Sequence, residues 1–116
     1  MKFYVLPVSL AIGGLAAGCA SVVPPPNDQW SAAQVEVGRA EAGGAPNVPD
    51  AKLHLQLAQE DLQKGKALMG DDNKRAATLI LLASTEAELA STLAQAANAG
   101  ADAVQAQDSL QKKGAQ

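Results

Sequence analysis

The sequence has one cysteine, one histidine and three aromatic residues in 116. Each scarcity excludes something. A single Cys19 allows neither an intramolecular disulfide nor a cysteine metal cluster, and a single His54 leaves no second imidazole for a metal site. Phe3, Tyr4 and Trp30 are the only aromatic side chains, and two of them fall in the first four positions, so the body of the chain must build its core from Leu and Ala. Cationic excess is also missing: nine basic side chains face twelve acidic ones, a net charge of −3, which speaks against a nucleic-acid partner. Alternating polar and apolar runs and hairpin turn signals are absent from residue 27 onward.

What is there begins with an address. Lys2 precedes a largely apolar stretch from Phe3 to Ala17, too short and glycine-rich for a comfortable membrane span but proportioned like a secretory signal peptide over residues 1–18. It ends in Leu15-Ala16-Ala17-Gly18-Cys19, which resembles the bacterial lipobox. The physical sense of that motif is simple: small side chains admit a peptidase at the scissile bond, and the freed cysteine thiol accepts an acyl chain. Leu15 stands four before the cysteine rather than three, with Ala16 in the usual place of the large apolar residue. Two other readings stay open here: an ordinary secretory signal cut after Ala20, and an uncleaved anchor. With lipidation (palmitate or a similar acyl chain) at Cys19, each buried CH₂ contributes about 0.8 kcal/mol, enough with several chains for stable membrane attachment. Ala20 and Ser21, with no Asp after the cysteine, resemble the sorting pattern of the outer membrane, on its periplasmic side. Pro24, Pro25 and Pro26 follow; lacking amide donors, they make residues 19–27 a semi-rigid spacer between lipidated Cys19 and the folded body.

The body, residues 28–111, reads as helical. A first helix from about Asp28 to Ala42 has Asn27 or Asp28 as its cap, or Ser31 with Gln34 as a capping box. Its apolar face is Trp30, Ala33, Val37 and Ala40, and Gly43 and Gly44 end it. A second helix opens at Pro49, with Asp50 placed favourably against the helix dipole, and Gly70 stops it. Its stripe is Ala51, Leu55, Ala58, Leu62, Gly65 and Met69 at spacings of four and three, a seam like that of a coiled coil. Leu53, Leu57 and Leu68 widen the stripe, so this helix is expected to touch more than one neighbour. The third helix starts at Asp71 or Asp72 with the stripe Ala76, Leu79, Ala83, Ala87, Ala90, Leu93 and Ala97, flanked by Ile80 and Leu82. Asn98 and Gly100 weaken it, leaving one long helix with a soft spot or a frayed fourth segment, and residues 112–116 are expected to be a disordered tail. Short connections favour antiparallel neighbours. The fold class is therefore all-α, a small up-and-down bundle or hairpin of about three helices.

The core is thin. From Cys19 onward there are 11 Leu, 6 Val and 1 Ile, so the monomer is expected to gain from self-association or from an envelope protein partner. Candidate chemistry is equally sparse. His54 lies four residues after Asp50, which allows an acid–base dyad or half a metal site, but a surface pair is the plainer reading. Glu86 and Glu88 fall on different faces, and no glycine spacing suits a phosphate. No catalytic residue, cofactor site or metal site is expected, and an enzyme is not. Trp30 either caps the base of the bundle, sits at a membrane interface or enters a partner's pocket.

The sequence resembles short bacterial lipoproteins that carry an alanine-rich helical domain of unknown function, a domain also found ahead of OmpA-like domains. The resemblance rests on Arg39-Ala40-Glu41-Ala42-Gly43, on Ala51, Leu55, Ala58, Leu62 and Gly65, and on Arg75-Ala76, Leu79, Ala83 and Glu86-Ala87-Glu88-Leu89-Ala90. It implies an envelope location without assigned catalytic residues, and peptidoglycan binding is not carried over. The expected role is a membrane-anchored helical structural or adaptor module, with a self-assembling spacer or a carrier of a small apolar ligand as alternatives. The carrier requires a cleft between the second and third helices.

Overall fold

A computed structural model describes residues 22–115, and the signal segment and Cys19 lie outside them. Three α-helices, α1 (Asn27–Ala42), α2 (Pro49–Leu68) and α3 (Asn73–Gly114), are joined by a 3₁₀ turn (Ala45–Asn47) and by residues 69–72. No strand occurs among the described residues. The fold is the expected all-α up-and-down arrangement, in which α2 runs antiparallel to both other helices.

The helix ends follow local chemistry, with one departure. The carbonyl of Pro26 accepts from the Trp30 amide at 3.0 Å, so α1 starts at Asn27, and no side chain of Asn27, Asp28 or Ser31 caps it. The expected cap is replaced because the fixed proline geometry already presents a carbonyl to the first turn. At the other end Gly44, with φ +91°, takes the left-handed conformation, and Pro46 then sets a 3₁₀ turn that buries Ala45 completely. Pro49 opens α2 as expected, and Gly70, with φ +97°, turns the chain back. For α3 the cap is Asp72, whose carboxylate accepts from the Arg75 amide at 3.0 Å.

The core is a single seam of small side chains. Ala33, Val37 and Ala40 of α1, Ala51, Leu55, Ala58, Leu62 and Gly65 of α2, and Ala76, Ile80, Ala83, Ala87, Ala90 and Ala94 of α3 are buried. The α2 stripe is buried as read from its spacing, with Met69 half-buried at its end. In α3 the expected Ala76, Ala83, Ala87 and Ala90 are buried, but Ile80, 1% exposed, takes the inward place expected of Leu79, which is only half-buried. Gly65 is the cause. A Cβ at that position would stand 2.8 Å from Cγ1 of Ile80 and 3.2 Å from the Ala76 carbonyl, so α2 and α3 touch backbone to side chain there. As expected, α2 touches more than one neighbour, both α1 and α3, but Leu53 and Leu57 stay 56% and 39% exposed.

The third helix takes the first of its two expected forms, one long helix, with no break at Gly100. It is one continuous helix of 42 residues, about 63 Å long, passing through Asn98, Gly100, Lys112 and Lys113 to Gly114. Residues 112–114 are thus helical rather than part of a tail. Only its first half is packed: every residue from 95 to 115 is exposed, including Ala97, which the stripe had placed inside.

Filling the contact point should break the bundle. Gly65→Leu is expected to cost about 1–3 kcal/mol through overpacking, whereas Gly38→Ala, on an open surface, should add roughly 1 kcal/mol of helix stability. Urea titration of both variants checks the pair. Ile80→Ala should likewise cost about 2–5 kcal/mol, and Leu79→Ala less, measured in the same way.

Candidate functional site

The two ends of the bundle differ, and each difference is built by an asparagine. Asn73, the first residue of α3, accepts from the Gly70 amide at 2.7 Å and donates from Nδ2 to the Val23 carbonyl, also at 2.7 Å. The proline spacer is thereby held against the α2–α3 turn. At the opposite end Asn98 donates from Nδ2 to the Gly43 carbonyl at 3.4 Å, fastening the end of α1 to α3 where the exposed arm of α3 begins. Neither asparagine was singled out by spacing. Asn73, directly after an acidic cap and a glycine turn, was the available signal.

Trp30 lies one turn into α1, beside the spacer. Its ring packs against the core and supports the Lys66 ammonium 4.5 Å from the ring centroid, while its indole Nε1 is sealed from solvent with no acceptor. A buried donor without a partner opposes folding, and the ring's apolar area together with the cation contact offsets it. Of the three places considered for Trp30, the base of the bundle is where it lies.

His54 meets a different carboxylate from the one its spacing suggested. Nδ1 lies 2.5 Å from Oε2 of Glu86, across the α2–α3 seam, and both side chains are about three-quarters buried. Asp50 takes no part in this bond. The two groups form an interhelical clasp, with no nucleophile and no third ligand beside them; among the described residues no cluster of three His, Cys, Asp or Glu could hold a metal ion. The remaining polar pairs join exposed surface: Glu36 with Arg39 at 2.8 Å, Glu60 with Lys64 at 3.5 Å, and Gln59 with Glu41 at 2.6 Å.

One depression lies between α1 and α3 over Ala32, Ala77, Ile80 and Leu81, and others flank α1. The α2–α3 seam, where a ligand cleft would have to open, is closed by Gly65 against Ile80. By length and composition α3 is apolar enough to cross a membrane, but a third of that apolar window is already buried against its neighbours.

The described residues thus form an alanine-rich helical body with an interhelical clasp, an aromatic corner and a bare arm. Residues 28–112 match the model of the domain of unknown function DUF4398, and the chain belongs to that family. The match spans nearly the whole helical body. No curated protein and no solved structure matches the chain.

The His54–Glu86 clasp should be worth more than a surface pair. A double-mutant cycle with His54→Gln and Glu86→Gln, read by chemical unfolding, is expected to give a coupling of about 0.5–1.5 kcal/mol. The same cycle on Glu60 and Lys64 should stay below about 0.5 kcal/mol.

Proposed function

We propose that this chain is a lipid-tethered helical module of the bacterial envelope, acylated at Cys19 and held at the outer membrane on the periplasmic side. The observation that carries the reading is the polarity of the bundle. The spacer that follows Cys19 is fastened to one end by Asn73 and Val23, and the unpacked arm of α3 leaves from the other. A domain tied at one end and bare at the other suits a tether that presents a docking helix. The lipobox-like Leu15-Ala16-Ala17-Gly18-Cys19 supports the attachment, and Pro24 to Pro26 support the spacing. The role is structural: Cys19 anchors, the prolines stand the domain off the bilayer, and the exposed helical faces bind. No catalytic step, metal or cofactor belongs to it.

Metabolic labelling with a fatty-acid analogue, followed by membrane fractionation, tests this. The wild-type chain is expected to carry label and to sediment with outer-membrane vesicles, while Cys19→Ser loses the label. An unlabelled wild-type chain, or one recovered in the soluble fraction, would overturn the reading in favour of an ordinary secretory signal.

A further inference from the structure

We propose that two copies of this chain pair in antiparallel fashion along the full length of α3, each inserting its arm into the leucine-lined groove of the other. The groove lies between α2 and α3 on the side away from α1. Leu79 and Leu93 are half-buried along it, and Leu82, Leu89 and Leu57 remain 45%, 42% and 39% exposed. Glu86, at its middle, is held by the hydrogen bond to His54. Three helices leave this face uncovered where a fourth would normally lie.

The arm has the complementary deficit. It extends about 30 Å beyond the packed half of α3, it contains Asn98 and Gly100, and nothing covers it. An isolated helix of this length with a glycine in it is marginal in water. The length of the arm matches that of the groove, whose α2 wall is a helix of 20 residues, also about 30 Å.

The occupant is a second copy because the two halves of one stripe fit each other. At helical spacing the groove face of α3 continues into the arm as Ala97, Gly100 and Val104. Large residues line the bundle half and small ones the arm half. With Leu93 facing itself at the two-fold axis, antiparallel alignment sets Leu89 opposite Ala97, Glu86 opposite Gly100 and Leu82 opposite Val104. Leu89 and Glu86 then meet small positions, Leu82 meets a valine and Leu93 meets itself, and the interface closes on itself. The same register sets Lys113 opposite Asn73, next to Asp72 of the other copy, and Asp108 opposite Thr78, one turn from Arg75, while Lys112 falls opposite Lys74. Parallel alignment would stack leucine on leucine and bring each pair of terminal lysines beside its duplicate. A contact along about 63 Å of helix, with Leu57 and its neighbours added, reaches the roughly 20 residues a side of a stable interface.

The pairing does not rest on the tether, so it is tested on the full-length chain carrying Cys19→Ser. Leu82→Cys and Val104→Cys are placed in separately tagged copies, co-expressed and oxidised mildly. The expected result is a disulfide-linked heterodimer at least tenfold more abundant than either homodimer, and a strong homodimer for Leu93→Cys alone. A dominant Val104→Cys homodimer would overturn the proposal in favour of parallel pairing, and the absence of covalent dimer from all samples would overturn pairing itself. Gly100→Leu supplies the second arm of the test. A Cβ at residue 100 meets nothing within 4 Å in the single chain, whereas the leucine fills the position facing Glu86 in the pair. It should weaken association at least tenfold, by sedimentation, with helix content unchanged; an unaltered association constant would overturn the register.

Discussion

The contact between Gly65 and Ile80 governs the rest of the molecule. With no Cβ at residue 65, α2 lies against α3 closely enough that Ile80 alone fills the space, and Ile80 is the one large side chain fully buried. Every other consequence follows from that approach. The seam above it is built mainly from Ala51, Ala58, Ala83 and Ala87, with Leu55 and Leu62 as its larger members, because close helices leave room for mostly methyl groups. The His54–Glu86 bond can form because the two backbones bring a short imidazole and a carboxylate within reach. A ligand cleft along α2 and α3 cannot exist at the same time. The choice of alanine makes the packing close and also makes it shallow, since each methyl removes little area from water.

Polarity is the second organising feature, and it arises from hydrogen bonds rather than from packing. α1 is parallel to α3 and covers only its first half, so the chain has a covered end and a bare end. Asn73 uses both halves of its amide at the covered end, accepting from the turn and donating to the spacer. One side chain thereby fixes where the extended segment meets the bundle, and Trp30 fills the corner beneath it. Asn98 does the corresponding work at the bare end. The direction in which the arm leaves is set by α3 itself, because a continuous helix cannot turn without a break in its hydrogen-bond ladder.

How far the sequence speaks depends on how much phase information each segment holds. In α2 the large residues Leu55 and Leu62 are separated by small ones at spacings of four and three, so the buried face is legible residue by residue. In α3 the run Leu79-Ile80-Leu81-Leu82-Ala83 is apolar on all sides, and the phase is decided by Gly65 on another helix, which no local pattern reports. Leu53 and Leu57 look like core for the same reason: hydropathy says that a side chain prefers burial, and only the number of neighbouring helices says whether burial is available. His54 is a third case. Local spacing offers Asp50, whereas the partner, Glu86, is 32 residues away. Capping was legible where a side chain does it, at Asp72, and illegible where a proline carbonyl does it, at Pro26.

Thin packing and the bare arm are two sides of one thermodynamic situation. An alanine seam supports three helices but leaves little surplus over the conformational entropy of ordering them. The leucines that would have added surplus sit instead on the outer faces of α2 and α3, and the arm adds backbone to be ordered with no burial in return. Any partner that covers these surfaces stabilises the folded chain by an amount that grows with the logarithm of its concentration. In such a molecule folding and association are linked, and the helix content of residues 95–114 follows occupancy of the groove. Restricting the chain to a membrane surface raises its local concentration and pushes that linkage toward the associated form. In the proposed arrangement a tether and a self-complementary helix would reinforce each other, and so small a core would suffice.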